Sequence, residues 1–273
     1  MTAGSIPSAE AGTAPLLDCR DVFRHFGSLP AVDGVSMQVR EGEVLGIGGP
    51  NGAGKTTFFD VITGITAPTG GSIEFDGHDI TTSGADQICH LGIARTFQLN
   101  AAFDHLTVEE NVQVAGQFGR HPRRFPGLRL TRDTRIAVEE ALDFVGLGAK
   151  RQIKAGDLPV LDRKLLMIAG AMATRPRMIF LDEPVGGLNT DEIDHIQELV
   201  RQMQGQGITI VLIEHVMRFL LTLSTRVLIM HHGSLIFEGP PEAVAEDETV
   251  VETYLGQGAA GRLKRHFGEA AHV

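Results

Sequence analysis

The chain has 273 residues, 42% of them hydrophobic and 33 of them glycine, enough to bury a sizeable core in an α/β protein with many tight turns. Its net charge of -10 excludes a nucleic-acid binder that relies on overall basicity, and reads as a solubility feature. Cys19 and Cys89 lie far apart, outside any metal-type spacing, and are expected to be free reduced thiols as in a cytosolic protein.

The opening MTAGSIPSAEAGTAPLL lacks the basic start and long apolar core of a signal peptide, and residues 1–14 are expected to form a disordered lead-in. A single domain is then expected over 15–256. LLDCRDVF (16–23) and GVSMQV (34–39) alternate apolar and polar residues, as strands of an antiparallel side sheet would. EVLGIGG (43–49) is a denser apolar strand that runs into a glycine loop and then a helical pattern.

Between about 99 and 176 the pattern turns helical. TVEENVQVAGQF (107–118), RDTRIAVEEALDFVG (132–146) and LDRKLLMIAGAMA (161–173) predict helices with no convincing strand among them, hence an inserted α-helical subdomain. The basic loop GRHPRRFPGLRLTR (119–132) reads as solvated, as do the helix-face residues Glu109, Glu110, Glu139 and Glu140.

RMIFLD (177–182) and ITIVLI (208–213) are nearly continuous in apolar residues, the mark of strands covered on both faces. RVLIMH (226–231) follows, and SLIFEG (234–239) after His231, His232 and Gly233 predicts a closing hairpin. The run ITIVLIEHVMRFLLTL (208–223) is interrupted by Glu214, His215 and Arg218, so no stretch reaches the roughly 20 apolar residues of a membrane span. Residues 257–273 are expected to be a flexible tail. Alternating strands and helices imply a parallel or mixed sheet with crossover helices.

Two motifs carry chemistry. GPNGAGKTT (49–57) follows a strand and precedes a helix, matching G-x-x-x-x-G-K-[ST] at Gly49, Gly54, Lys55 and Thr56. Backbone N–H groups of Gly49, Pro50-Asn51, Gly52, Ala53, Gly54 and Thr57 can curl around phosphate oxygens at a helix start, proline itself giving only the turn. Lys55 would neutralise β- and γ-phosphates of ATP, and the Thr56 hydroxyl would ligate Mg²⁺. MIFLDEP (178–184) ends a buried strand in two carboxylates: Asp182 is suited to hold Mg²⁺ through water, Glu183 to polarise the attacking water.

With these residues the sequence resembles the nucleotide-binding subunits of ABC transporters over residues 16–256. The resemblance implies a P-loop NTPase core with a mixed sheet, an N-terminal antiparallel β element and the helical subdomain. ARTFQ (94–98) resembles the Q-loop, which makes Gln98 a contact of Mg²⁺ and water and a link to the membrane domain. GGLN (186–189) resembles the D-loop, with Asn189 where many relatives carry Asp. IEHVM (213–217) resembles the switch region, which makes His215 the γ-phosphate contact. Phe26, 49 − 26 = 23 residues before Gly49, stands where the family has an aromatic ring on adenine. The remaining ten histidines are read as structural. EPVGGLN, IEHVM, LIFEGPPEAV and ETYLG resemble the ATPases of branched-chain amino-acid importers of the hydrophobic-amino-acid uptake class.

The family's paired subunits sandwich ATP between the phosphate loop of one and a serine-glycine signature of the other. Here Leu158-Pro159-Val160-Leu161-Asp162 replaces L-S-G-G-Q, so serine hydroxyl and one N–H are lost and Asp162 adds a negative charge. This segment is expected to fold as in relatives but to serve poorly as a phosphate ligand, with Arg163 or Lys164 as candidate compensating cations.

The resemblance thus implies an ATPase at the cytoplasmic face of the inner or plasma membrane, bound to membrane permease subunits. A second, different ATPase subunit is favoured over a homodimer, a substrate-binding protein is an indirect partner, and nucleic acid is not expected. A soluble ABC ATPase that remodels a protein or ribosomal complex is the alternative, but such proteins commonly carry two cassettes in one chain. A small-molecule kinase on the same phosphate loop is disfavoured by Glu183 and His215.

Overall fold

The computed structural model describes residues 14–97, 102–119, 130–256, 258 and 260–263. Most of the expected lead-in, Gln98, most of the basic loop and residues 264–273 therefore lie outside the described residues.

Strands β1 (Leu17–Phe26) and β2 (Leu29–Val39) form a hairpin whose tip pairs Phe26 with Leu29. Both strands run longer than their apolar alternation suggests, because bulges between Cys19 and His25 absorb the irregular pattern. β4 (Gly70–Phe75) and β5 (His78–Asp79) complete a four-stranded antiparallel sheet in the order β2-β1-β4-β5.

The second sheet has the order β10-β9-β3-β8-β7-β6. Its parallel part comprises β3 (Val44–Gly48), β6 (Ile93–Arg95), β7 (Met178–Asp182), β8 (Thr209–Ile213) and β9 (Arg226–His231). β10 (Ser234–Gly239) closes it antiparallel to β9, as the HHG turn predicts.

The continuous apolar runs are explained by two cores on opposite faces. Leu45, Ile47, Phe180, Val211, Ile213 and Leu228 point toward the antiparallel sheet and α1 (Lys55–Ile62). Their chain neighbours Val44, Ile179, Leu181, Ile210, Leu212 and Ile229 point the other way. That second core also takes in α6 (Thr190–Gly205) and α7 (Met217–Leu223). Alternate residues of one strand thus feed different cores. The Phe59 and Phe180 rings meet edge to face at 4.7 Å, fastening α1 to β7.

The helical subdomain is built from α3 (Val108–Phe118), α4 (Arg132–Phe144) and α5 (Val160–Ala173), packed on one another. Thr107 and Glu110 close a capping box at the start of α3, a polar role for Glu110 within an exposed face. Among the described residues its only β feature is a bridge between Thr107 and Lys154. α2 (Ala85–Leu91) and β6, both too short for their periodicity to stand out, join this subdomain to the core. Beyond β10, α8 (Glu248–Val250) runs into a π-helical turn over Val251–Leu255; further on, Ala260 and Leu263 are buried.

Candidate active site

β3, β8 and β7 are neighbours in the sheet and all run parallel, so their carboxyl ends open onto one crevice. The phosphate loop leaves β3, Asp182 and Glu183 end β7, and Glu214 and His215 follow β8. Residues separated by more than 150 positions are brought together by strand order alone.

The loop geometry demands glycine at two places. Gly49 has φ 140°, and a Cβ there would lie 2.2 Å from the Met230 carbonyl oxygen. Gly54, with φ 98°, caps α1, and a Cβ would lie 2.1 Å from the Ala31 carbonyl oxygen. The loop is pinned from outside by Gly233 N–H donating to the Ala53 carbonyl (3.0 Å). Lys55 is buried and donates from Nζ to the carbonyls of Gly49 (2.7 Å) and Pro50 (2.9 Å). Burial pulls its pKa below the ordinary lysine value, while the nearby charges of Glu183 and Asp182 push it back up.

A pocket of about 470 Å³ opens here, bounded by loop residues 51–57, Glu183, His232 and the hairpin tip with Phe26 and Leu29. Phe26 is 49% exposed, with the Arg24 guanidinium 4.4 Å from its ring centroid. Phe26 is therefore no core residue. His232, read from sequence as structural, instead lines the pocket with φ 47°; only the fold of the β9–β10 turn brings it there.

Asp182 is nearly inaccessible, and Arg95 holds its Oδ2 at 2.9 Å. The same guanidinium binds Asp60 of α1 at 2.6 Å and lies between the rings of Phe59 and Phe97. Burial raises the Asp182 pKa and Arg95 opposes the rise. Oδ1 of Asp182 is buried and has no hydrogen-bond partner among the described residues. A buried carboxylate oxygen left in this way fits a hard, oxygen-seeking cation such as Mg²⁺.

Glu183 sits at φ 49°, an uncommon left-handed conformation for a non-glycine residue. Its N–H donates to the Ile213 carbonyl (3.0 Å), and its carbonyl accepts from Lys164 Nζ (2.8 Å). His215 Nδ1 lies 3.9 Å from Glu183 Oε1 and 3.7 Å from Glu214 Oε2. Glu214 itself is fully buried, and burial raises its pKa against the pull of three backbone N–H donors and His215. The motifs single out neither Arg95 nor Glu214. A charged residue directly after an apolar strand was the available signal for Glu214; Arg95 ends a strand too short to be seen in the sequence.

The altered signature forms the start of α5, with Pro159 as N-cap and Pro159 and Val160 exposed. One expectation is corrected. Asp162 does not add charge at the exposed helix tip: it is buried and bound to Lys150 Nζ at 2.5 Å. Nor are the two cations spare, since Arg163 pairs with Asp104 (2.6 Å) and Lys164 holds the Glu183 carbonyl. Asn189 caps α6, accepting from the Glu192 N–H while Glu192 accepts from its own.

A second, apolar cleft of about 440 Å³ separates the core from the helical subdomain, lined by residues of α2, β6, α3 and α5 and by the exposed Phe97, Phe103 and Phe118. No helix among the described residues is long and apolar enough to cross a membrane.

Residues 32–186 match the model of the family described as ABC transporter. The chain is 35% identical over 251 residues to the high-affinity branched-chain amino acid transport ATP-binding protein BraF of Pseudomonas aeruginosa, covering 89% of this chain and 98% of that protein. It is 36% identical to the corresponding LivG protein of Escherichia coli K12, with the same coverage. Among solved structures it resembles a nucleotide-free ATP-binding cassette from an ABC transporter, with TM-score 0.81 and 31% identity, covering 89% of this chain and all of that one. A cassette in its ADP conformation gives TM-score 0.80 at 32% identity, covering 90% and 100%.

Proposed function

This chain belongs to the ABC transporter family of ATP-binding ATPases, and from that premise we propose that it powers the import of branched-chain or related amino acids through a separate membrane permease. The observation that carries the reading is the convergence of Lys55, Asp182, Glu183 and His215 at the ends of three adjacent strands, within a family whose relatives BraF and LivG are named for that transport.

In this reading Phe26 stacks on adenine, and residues 49–57 with Lys55 cradle the phosphates of ATP. Asp182 and Thr56, with Gln98, would hold Mg²⁺, which would supply positive charge toward the phosphates. Glu183 is the general base for water, and His215 contacts the γ-phosphate.

The protein is peripheral, at the cytoplasmic face of the membrane. The apolar cleft, flanked by three exposed phenylalanines, supports docking of a permease segment there. The exposed Pro159-Val160 start of α5 supports a different ATPase subunit as the partner, with a substrate-binding protein acting on the permease from the other side.

The test is purification of the tagged chain from its native membrane, followed by reconstitution. Co-purification of a multi-span permease, with ATP-dependent uptake of labelled leucine, isoleucine or valine into vesicles, is the expected result. Association only with soluble complexes would overturn the transport reading in favour of a remodelling ATPase.

A further inference from the structure

Glu214 has no exposed surface, yet it follows an apolar strand, and among the described residues its carboxylate accepts hydrogen bonds from backbone N–H groups of two catalytic turns, with His215 Nδ1 3.7 Å from Oε2. Oε1 accepts from Val185 N–H at 2.9 Å, on the turn that begins with Glu183. Oε2 accepts from His215 N–H at 3.1 Å and Val216 N–H at 3.3 Å, on the turn after β8. One side chain therefore joins the two segments whose side chains face each other at 3.9 Å across the crevice.

We propose that Glu214 is a positioning residue that sets the separation of Glu183 and His215 by bridging their two turns. Three features support this. Backbone donors in a dry site bind a carboxylate more strongly than they would a neutral acceptor, so the bridge is stiff. Glu183 sits in a left-handed conformation that persists only where its surroundings hold it: its N–H is held by the Ile213 carbonyl, its carbonyl by Lys164, and Val185, two residues on, by Glu214. Glu214 is also absent from the pocket that takes the phosphate loop, so it is placed to affect the geometry of turnover and not the grip on nucleotide.

This inference rests on the assignment of Glu183 as base and His215 as γ-phosphate contact. In the assembled transporter, Glu214→Gln keeps one acceptor oxygen and turns an NH₂ group toward the remaining donors. It should lower kcat by about 10- to 100-fold, the range for an ångström-scale misplacement of catalytic groups. ATP affinity by calorimetry should change less than about twofold, since the phosphate-loop contacts are untouched.

In a Glu183→Gln background, single-turnover hydrolysis should show no further loss on adding Glu214→Gln, because a positioning effect has nothing left to position. If Glu214→Gln does not fold, Glu214→Asp, too short to span both turns, should show the same split between kcat and affinity. A kcat within twofold of wild type, a parallel loss of kcat and ATP affinity, or additive losses in the double variant would each overturn the proposal. Wild-type turnover by Glu183→Gln would instead overturn the site assignment on which it rests.

Discussion

Asp182 shows how a single carboxylate can be both fixed and available. Its Oδ2 is taken by Arg95, while Oδ1 is buried without a partner among the described residues, so the side chain cannot turn away yet keeps an acceptor free for a cation. Lys55 and Glu183, on either side of the crevice, should separate binding from chemistry. Lys55→Ala removes the charge that faces the phosphates and should weaken ATP binding itself, read by calorimetry. Glu183→Gln should bind ATP near normally but lose about 10²- to 10⁴-fold in turnover by the assembled transporter, on the order of 3–5 kcal/mol. Unchanged affinity in the first variant, or turnover within a few-fold of wild type in the second, would remove the corresponding role.

Helix starts differ according to what each must present. α3 and α6 begin with complete capping boxes, Thr107 with Glu110 and Asn189 with Glu192. α5 begins with Pro159, which supplies a suitable backbone angle but no side-chain oxygen for the first-turn N–H groups. Asp162, near enough in sequence to help, is turned inward to Lys150 instead. The capped helix gives a clean test. Asn189→Ala should cost about 1 kcal/mol of stability through loss of the cap, whereas Asn189→Asp, an equally good cap, should cost little. Urea unfolding midpoints at constant slope would measure both. Equal losses in the two variants would mean that Asn189 matters for something other than capping.

At the scale of the whole molecule, the chain combines a well-formed phosphate loop with the altered segment Leu158–Asp162 at the start of α5, which we propose serves poorly as a signature. Paired with itself, it would set two sound loops against two poor signatures. Each missing γ-phosphate donor costs about 3 kcal/mol of transition-state stabilisation by analogy with oxyanion-hole donors. The isolated chain should therefore bind ATP and hydrolyse it slowly, with turnover restored by a different ATPase subunit that carries an intact signature. Substituting Pro159→Ser, Val160→Gly and Leu161→Gly together, with Asp162 kept because it is bound to Lys150 inside the subdomain, should raise the ATPase rate of the isolated chain. Brisk hydrolysis by the unmodified chain alone would refute the asymmetric pairing.

By itself, the sequence determined the local features: the glycine spacing of 49–57, the buried strand ending in Asp182 and Glu183, and the helices of the subdomain, whose apolar spacing matches α3, α4 and α5 closely. These are legible because a phosphate loop, a strand end and a long amphipathic helix are each specified by residues close together along the chain. The short α2 and β6 were not legible, since three to seven residues carry too little periodicity. Only the tertiary structure decided that Arg95 clamps Asp182 across 87 residues, that His232 lines the pocket, and that Asp162 turns inward. It alone decided that Glu214 ties the turn after β7 to the turn after β8. The reason is physical: which donor a buried charge meets depends on which strands become neighbours, and strand order is set by the packing of two cores against opposite faces of one sheet.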